Sequence, residues 1–155
     1  MVRVKTSYNQ LFVRLERLYL PFIMLRCVLF AALCGVALSS YTVHTEKKTF
    51  EDAEAACASA GGHLATIQNA KDQALISKAI NEKGTFWVGL RRNFPDMEYT
   101  WIDGTPVTFT NWDNPEAIRE HMYTHGAIYN ENNESRRYKW IATFGFRQHG
   151  FVCQN

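Results

Sequence analysis

Phe86-Trp87-Val88-Gly89-Leu90 carries no charged residue and reads as a buried strand, the point where the chain changes from helical to β character. Tyr99-Thr100-Trp101-Ile102 reads as another strand, and Asp103-Gly104 is a strong turn signal before Val107-Thr108-Phe109. Lys139-Trp140-Ile141 and Phe151-Val152-Cys153 close the chain as short strands. Residues 111–138 lack periodicity and are rich in Asn, Glu, Pro and His, which predicts mostly long loop with one candidate strand, Gly126-Ala127-Ile128-Tyr129. Upstream, Tyr41-Thr42-Val43-His44 alternates like a short strand. Thr49 then caps a helix whose apolar stripe is Phe50, Ala53, Cys57 and Ala60, with Gly61-Gly62 as the stop. After a short strand at 63–67, Asn69 caps a second helix with the stripe Leu75, Ile76, Ala79 and Ile80, ended by Gly84. Two early helices followed by strands make this an α+β chain without internal repeats or low-complexity tracts.

With 155 residues and 46% apolar content, the chain has enough material for one domain with a real core. Its formal charge of +2 is unevenly split. Residues 1–40 hold five of the seventeen basic side chains and one of the fifteen acids, leaving residues 41–155 with twelve and fourteen, or −2. No basic cluster is interleaved with aromatics, so nucleic acid is not an expected partner. The nearest candidate, Arg136-Arg137 with Lys139, reads as solvated loop.

The first forty residues read as targeting. Met24-Leu25-Arg26, the twelve-residue apolar run Cys27–Leu38 and Ser39-Ser40 have the order of a secretory signal peptide, freeing a chain that starts near Tyr41. Extending the run back through Leu20-Pro21-Phe22-Ile23 gives the ~20 residues a bilayer needs. It also puts Arg26 mid-membrane at roughly 2.5–3.5 kcal/mol. An uncleaved type II anchor is thus the alternative. The division is an upstream extension at 1–23, with Met24 an alternative start, a signal peptide at 24–40 and a domain at 41–155. The expected location is secreted and extracellular. Export leaves Cys57 and Cys153 as an even pair in an oxidising compartment, for which one disulfide is the economical reading and two free buried thiols the other. Asn133-Glu134-Ser135 is an N-glycosylation sequon that counts only on export.

Several ordered elements resemble the C-type lectin-like domain family across residues 41–154. They are the Cys57 helix running into Gly61-Gly62-His63-Leu64-Ala65-Thr66, then Trp87-Val88-Gly89-Leu90, Trp101-Ile102-Asp103-Gly104, Asn111-Trp112 and Phe151-Val152-Cys153. The resemblance implies a C-type lectin-like fold of two helices, short antiparallel sheets and a long loop region, with the helix cysteine paired to the last one as Cys57–Cys153. It also marks departures. The family's second, loop-stapling disulfide has no cysteines here; His125 and Gly145 stand near those positions. In the family the Trp at 140 is usually followed by Asn-Asp, which gives oxygen ligands to the sugar-binding calcium, whereas this chain has Ile141-Ala142. The motif Glu-Pro-Asn becomes Glu116-Ala117-Ile118, within Asn114-Pro115-Glu116-Ala117-Ile118, and Glu120 is off the family's spacing.

Calcium takes six to eight oxygens, several of them charged. Hydrocarbon at 118, 141 and 142 leaves Glu116 and Glu120 short of that set, so no metal or other cofactor is expected. Calcium engaged elsewhere on the loop stays open. Asn130-Glu131-Asn132-Asn133-Glu134 is acid-rich but lacks EF-hand spacing. An enzyme is not expected: His63 reads as structural, and His121 and His125, spaced i, i+4, lack an H-E-x-x-H pattern. No nucleophile or paired carboxylate stands out. The resulting expectation is a secreted recognition module, a disulfide-bonded glycoprotein, that binds an extracellular protein or a glycan without calcium through the 111–138 loop. Its candidate contacts are Trp112, Asn114, Glu116, Glu120, Lys139 and Trp140. The alternatives are a carbohydrate-binding, calcium-dependent lectin with relocated ligands, a membrane-anchored lectin-like receptor, and a matrix or ice-surface component.

Overall fold

A computed structural model describes residues 40–155. The expected leader, with Cys27 and Cys34, lies outside the described residues. The elements in chain order are β1 (Tyr41–Lys48), α1 (Phe50–Ser59), β2 (His63–Leu64), α2 (Ala70–Ala79), β3 (Gly84–Arg92), β4 (Tyr99–Trp101), β5 (His125–Asn130), β6 (Lys139–Thr143) and β7 (His149–Gln154). The α+β class is the one expected. The described strands join in one seven-stranded sheet of order β1-β7-β3-β5-β6, with β2 on β7 and β4 on β3. Pairing is antiparallel except between β3 and β7, where Phe86 lies opposite Gly150 and Trp87 opposite Phe151.

Local chemistry sets both helix starts. Thr49 accepts the Asp52 amide at 3.2 Å and donates its hydroxyl to the Asp52 carboxylate at 2.8 Å. Asn69 accepts the amides of Lys71 and Asp72 at 2.9 and 3.0 Å. On α1 the stripe Phe50, Ala53 and Cys57 is buried, whereas Ala60 is the exposed C-cap. On α2 the buried residues are Gln73 and Ile76, while Leu75, expected inside, is 44% exposed. That helix also stops earlier than the glycine signal predicts. Ile80 turns to extended backbone and buries its side chain, and Gly84 opens β3 instead.

The β strands follow the period of two. On β3, Phe86, Val88 and Leu90 join one buried cluster with Ile76, Ile128, Trp140 and Val152, whereas Trp87 joins another with Phe50, Cys57, Ala127 and Phe151. A strand covered on both faces has no polar alternation, which is why 86–90 reads as one apolar run. Gly89 is required by close approach: a Cβ there would sit 2.7 Å from the Leu64 carbonyl oxygen. Two strand expectations change. Val107-Thr108-Phe109 forms no strand, because pairing with β4 ends at the Thr100–Pro106 bridge and Pro106 has no N–H to extend it. The candidate strand inside the long loop is real and longer, and as β5 it pairs with both β3 and β6.

The Cys57 and Cys153 side chains form a disulfide with Cα atoms 5.4 Å apart, joining α1 to β7 across 96 residues. Loop closure of that size stabilises by roughly 4–5 kcal/mol in the chain-entropy model. His125, expected near one of the absent cysteines, opens β5. Its ring lies 4.2 Å from Phe50, and a Cβ on Gly145, at the other position, would come within 2.5 Å of it. The imidazole thus packs directly on a bare glycine. His149 lies 4.6 Å from Trp87, and its Nε2 is buried without a hydrogen-bond partner.

Cys57→Ser and Cys153→Ser should produce the same loss of stability, since each breaks the same bond; unequal melting curves for the two would show a separate role for one sulfur. Burial holds the His125 and His149 imidazoles below the usual histidine value, with Lys47 and Arg147 adding to the effect at His149. Their neutral forms therefore stabilise the fold fully above about pH 6.5, and this contribution is lost as pH falls below that value. The melting temperature should be lower at pH 5.5 than at pH 7.5, and His149→Phe should shrink the difference. An unchanged difference would remove His149 from the account.

Candidate functional site

The loop that faces outward is built on the ends of β3 and β6. At β6, residues 111–113 run beside the strand: the Trp140 amide donates to the Asn111 carbonyl at 2.9 Å and the Asp113 amide to the Trp140 carbonyl at 2.8 Å. Lys139 Nζ reaches Asn111 Oδ1 at 2.8 Å, and Asn111 Nδ2 donates to the Tyr138 carbonyl at 3.1 Å. Trp140 itself is fully buried, with its indole N–H on Gln73 Oε1 at 2.7 Å. It belongs to the core, so the expectation that it contacts a ligand is corrected; a side chain with no exposed surface has none to offer. Trp112 packs edge-on against it at 5.6 Å and remains half-buried, which keeps one face of that ring near the surface.

Of the other expected contacts, Asn114 and Glu116 meet directly, and Lys139 meets Asn111 beside Trp112. Asn114 Oδ1 accepts the Glu116 amide at 3.0 Å, and Glu116 pairs with Arg119 at 3.2 Å. The Glu120 side chain is exposed. Ile141 packs against the Trp87 cluster. Among the described residues, no three His, Cys, Asp or Glu side chains converge to hold a metal ion. The positions that would need oxygen carry hydrocarbon at Ile118, Ile141 and Ala142, so these residues do not fit a calcium ion. His121 lies in a turn and His125 in β5, so the i, i+4 pair shares no helix face. His63 bonds Glu54 at 2.6 Å. Arg136 pairs with Asp113 and Arg137 with the Glu131 carbonyl, which accounts for both within the loop.

Arg92 is the residue that sequence reasoning missed. It is the last residue of β3 and only 8% exposed. Its Nε donates to the Tyr123 carbonyl at 2.8 Å, Nη1 to the Met97 carbonyl, and Nη2 to the carbonyls of Ile118 and, at 3.3 Å, Glu120. Its amide also donates to the Thr124 carbonyl at 2.8 Å. The guanidinium lies 4.5 Å from the Tyr99 ring centre, and the Tyr99 hydroxyl donates to the same Tyr123 carbonyl at 2.8 Å. Burial raises the Tyr99 phenol, with Arg92 opposing. The signal available was the strand period: in Leu90-Arg91-Arg92, an inward Leu90 places Arg92 inward too.

Above Arg92 lies an open groove of about 500 Å³, between the β3–β4 turn and the loop. Its walls include Tyr99 and Trp112, with ring centres 5.1 Å apart, and the exposed Asp96, Glu98, Arg119 and His121. Among the described residues, Asp96 and Glu98 enter no ion pair. The groove thus offers aromatic faces, exposed carboxylates, of which Asp96 accepts the Glu98 amide at 3.4 Å, and a few donors.

Comparison with known proteins agrees with this architecture. A family model described as the lectin C-type domain matches residues 46–155. The chain is 30% identical over 109 residues to the human secretory phospholipase A2 receptor, covering 68% of this chain and 7% of that protein. It is 35% identical over 90 residues to human layilin, covering 49% and 24%. The chain therefore spans a small part of these relatives. Among solved structures, the carbohydrate-recognition domain of the mouse scavenger receptor C-type lectin superposes with a TM-score of 0.66 at 24% identity, covering 76% of this chain and 87% of that one. A calcium-independent type II antifreeze protein superposes with a TM-score of 0.65 at 22% identity, covering 76% and 85%. With the domain model matched across nearly all the described residues, this chain belongs to the C-type lectin domain family.

Proposed function

We propose that this domain is an exported recognition module that binds an extracellular protein or a glycan without calcium, through the groove beside Tyr99 and Trp112. C-type lectin domains bind glycans or proteins outside the cell. The observation that carries the calcium-free reading is the hydrocarbon at Ile118, Ile141 and Ala142. A hard cation loses its hydration shell on binding, and only a nearly complete oxygen cage offsets that loss. Glu116 and Glu120 alone attract calcium weakly and without geometry. The groove recognises a partner by other means, through two aromatic faces and the exposed carboxylates of Asp96 and Glu98. Loops carried on a rigid scaffold are the usual seat of such recognition.

Export is compatible with how β1 begins. That strand starts at Tyr41, so cleavage near Ser39 or Ser40 leaves it whole, and cleavage before Ser40 also keeps the paired backbone bonds of Ser40 and Asn155 at 3.2 and 3.1 Å. Asn133 is exposed just before the turn at 134–138, with its Oδ1 accepting from the Ser135 amide and hydroxyl.

Calcium titrated into the mature domain, followed by heat or tryptophan fluorescence, should give no saturable signal below a millimolar. A glycan array should read the same with calcium and with chelator. Submillimolar binding lost in Glu116→Ala and required for retention on a sugar column would overturn the reading. Once a partner is identified, Trp112→Ala should weaken it at least about tenfold, as buried aromatic anchors do. Mass analysis of exported material should find a chain starting near Tyr41 with a glycan on Asn133; recovery only in detergent, with residue 1 intact, would favour the membrane anchor.

A further inference from the structure

Arg92 presents an unusual arrangement of charge. Its guanidinium is buried, yet among the described residues it has no carboxylate partner; every side-chain hydrogen bond it makes goes to a main-chain carbonyl. Those carbonyls belong to Met97 in the β3–β4 turn and to Ile118, Glu120 and Tyr123 in the long loop, up to 31 residues away. Carbonyl oxygens turned toward one point repel each other and are stable there only around positive charge. A bound hard cation gathers loop carbonyls in this way. A guanidinium can do so too, because its five N–H groups are fixed in a plane and it is always charged.

We propose that Arg92 is the resident cation of this domain, a positioning residue that gathers the carbonyls of the 118–124 segment and thereby holds the groove open in its binding shape without any metal. This rests on the groove reading above. The consequences are local. Tyr99 is held between the guanidinium and the Tyr123 carbonyl, and Arg119 and His121 stand on the segment that the clamp fixes. Releasing the clamp frees one wall of the groove and leaves the disulfide-linked core in place.

The test uses a bond that the clamp itself covers. Chymotrypsin cuts after Tyr123, whose carbonyl oxygen accepts from both Arg92 Nε and the Tyr99 hydroxyl. In native full-length protein, Arg92→Met should speed cleavage at 123–124 at least about tenfold, since several charge-assisted hydrogen bonds are lost from a segment with few others. Arg92→Ala leaves room for a free guanidinium ion. Tens of millimolar guanidinium chloride should then slow its cleavage toward the wild-type rate, and equal urea should not. Cleavage of Arg92→Met at the wild-type rate, or equal effects of guanidinium and urea, would overturn the proposal. If Arg92→Met does not fold, Arg92→Lys carries the test: it keeps the charge without the planar fork and should be cut faster than wild type, and a wild-type rate would again overturn the proposal. Wild-type cleavage should be equal with calcium and with chelator. Slower cleavage in calcium would overturn the calcium-free function, an outcome separable from a failure of the Arg92 variants.

Discussion

The Cys57–Cys153 bond anchors α1 to β7, and β7 is the strand on which the sheet is assembled. It pairs with β1 on one side and β3 on the other, and β2 adds where Leu64 lies opposite Cys153. Fixing β7 fixes β3, whose buried residues divide alternately between the two core clusters. It also fixes where β3 ends. The strand delivers Arg92 to the base of the loop with its side chain already turned inward, so the loop inherits its anchor from the geometry of the core. A single crosslink closing a long loop removes much of the entropy of the unfolded chain, and every later contact forms in a shorter-ranged search.

Outside the ladders, the question is where the backbone hydrogen bonds go. Around β6 the answer is a set of polar side chains. Gln73 receives the Trp140 indole N–H and donates to the Tyr138 carbonyl at 3.2 Å, which Asn111 also bonds. At the far end of the loop the answer is Arg92. These residues keep a segment with little regular structure in one shape. The aromatic set of Trp101, Phe109, Trp112 and Trp140 fills the space beneath, with ring centres 5.5–5.9 Å apart around Trp140. Edge-to-face pairs of this kind add about 0.5–1.5 kcal/mol each beyond burial. A loop held by side chains and aromatic packing keeps one shape without regular secondary structure.

The sequence by itself determined much of the frame. The caps at Thr49 and Asn69, the apolar run 86–90 and the pair Cys57 and Cys153 are signals within a few residues or in the cysteine count, and each matches the observed element or bond. The absence of oxygen donors at 118, 141 and 142 was equally plain, because a missing side-chain atom is missing in any fold. Tertiary structure alone decided which exposed-looking residues are interior and which polar residues act as anchors. Trp140 could have faced a ligand or the core until Gln73, 67 residues away, was seen to accept its N–H. Arg92 carried no assigned role until carbonyls from the turn and the long loop met around it. Periodicity reports how a residue sits on its own element, but hydrogen-bond satisfaction depends on which distant segments the fold brings to the same point.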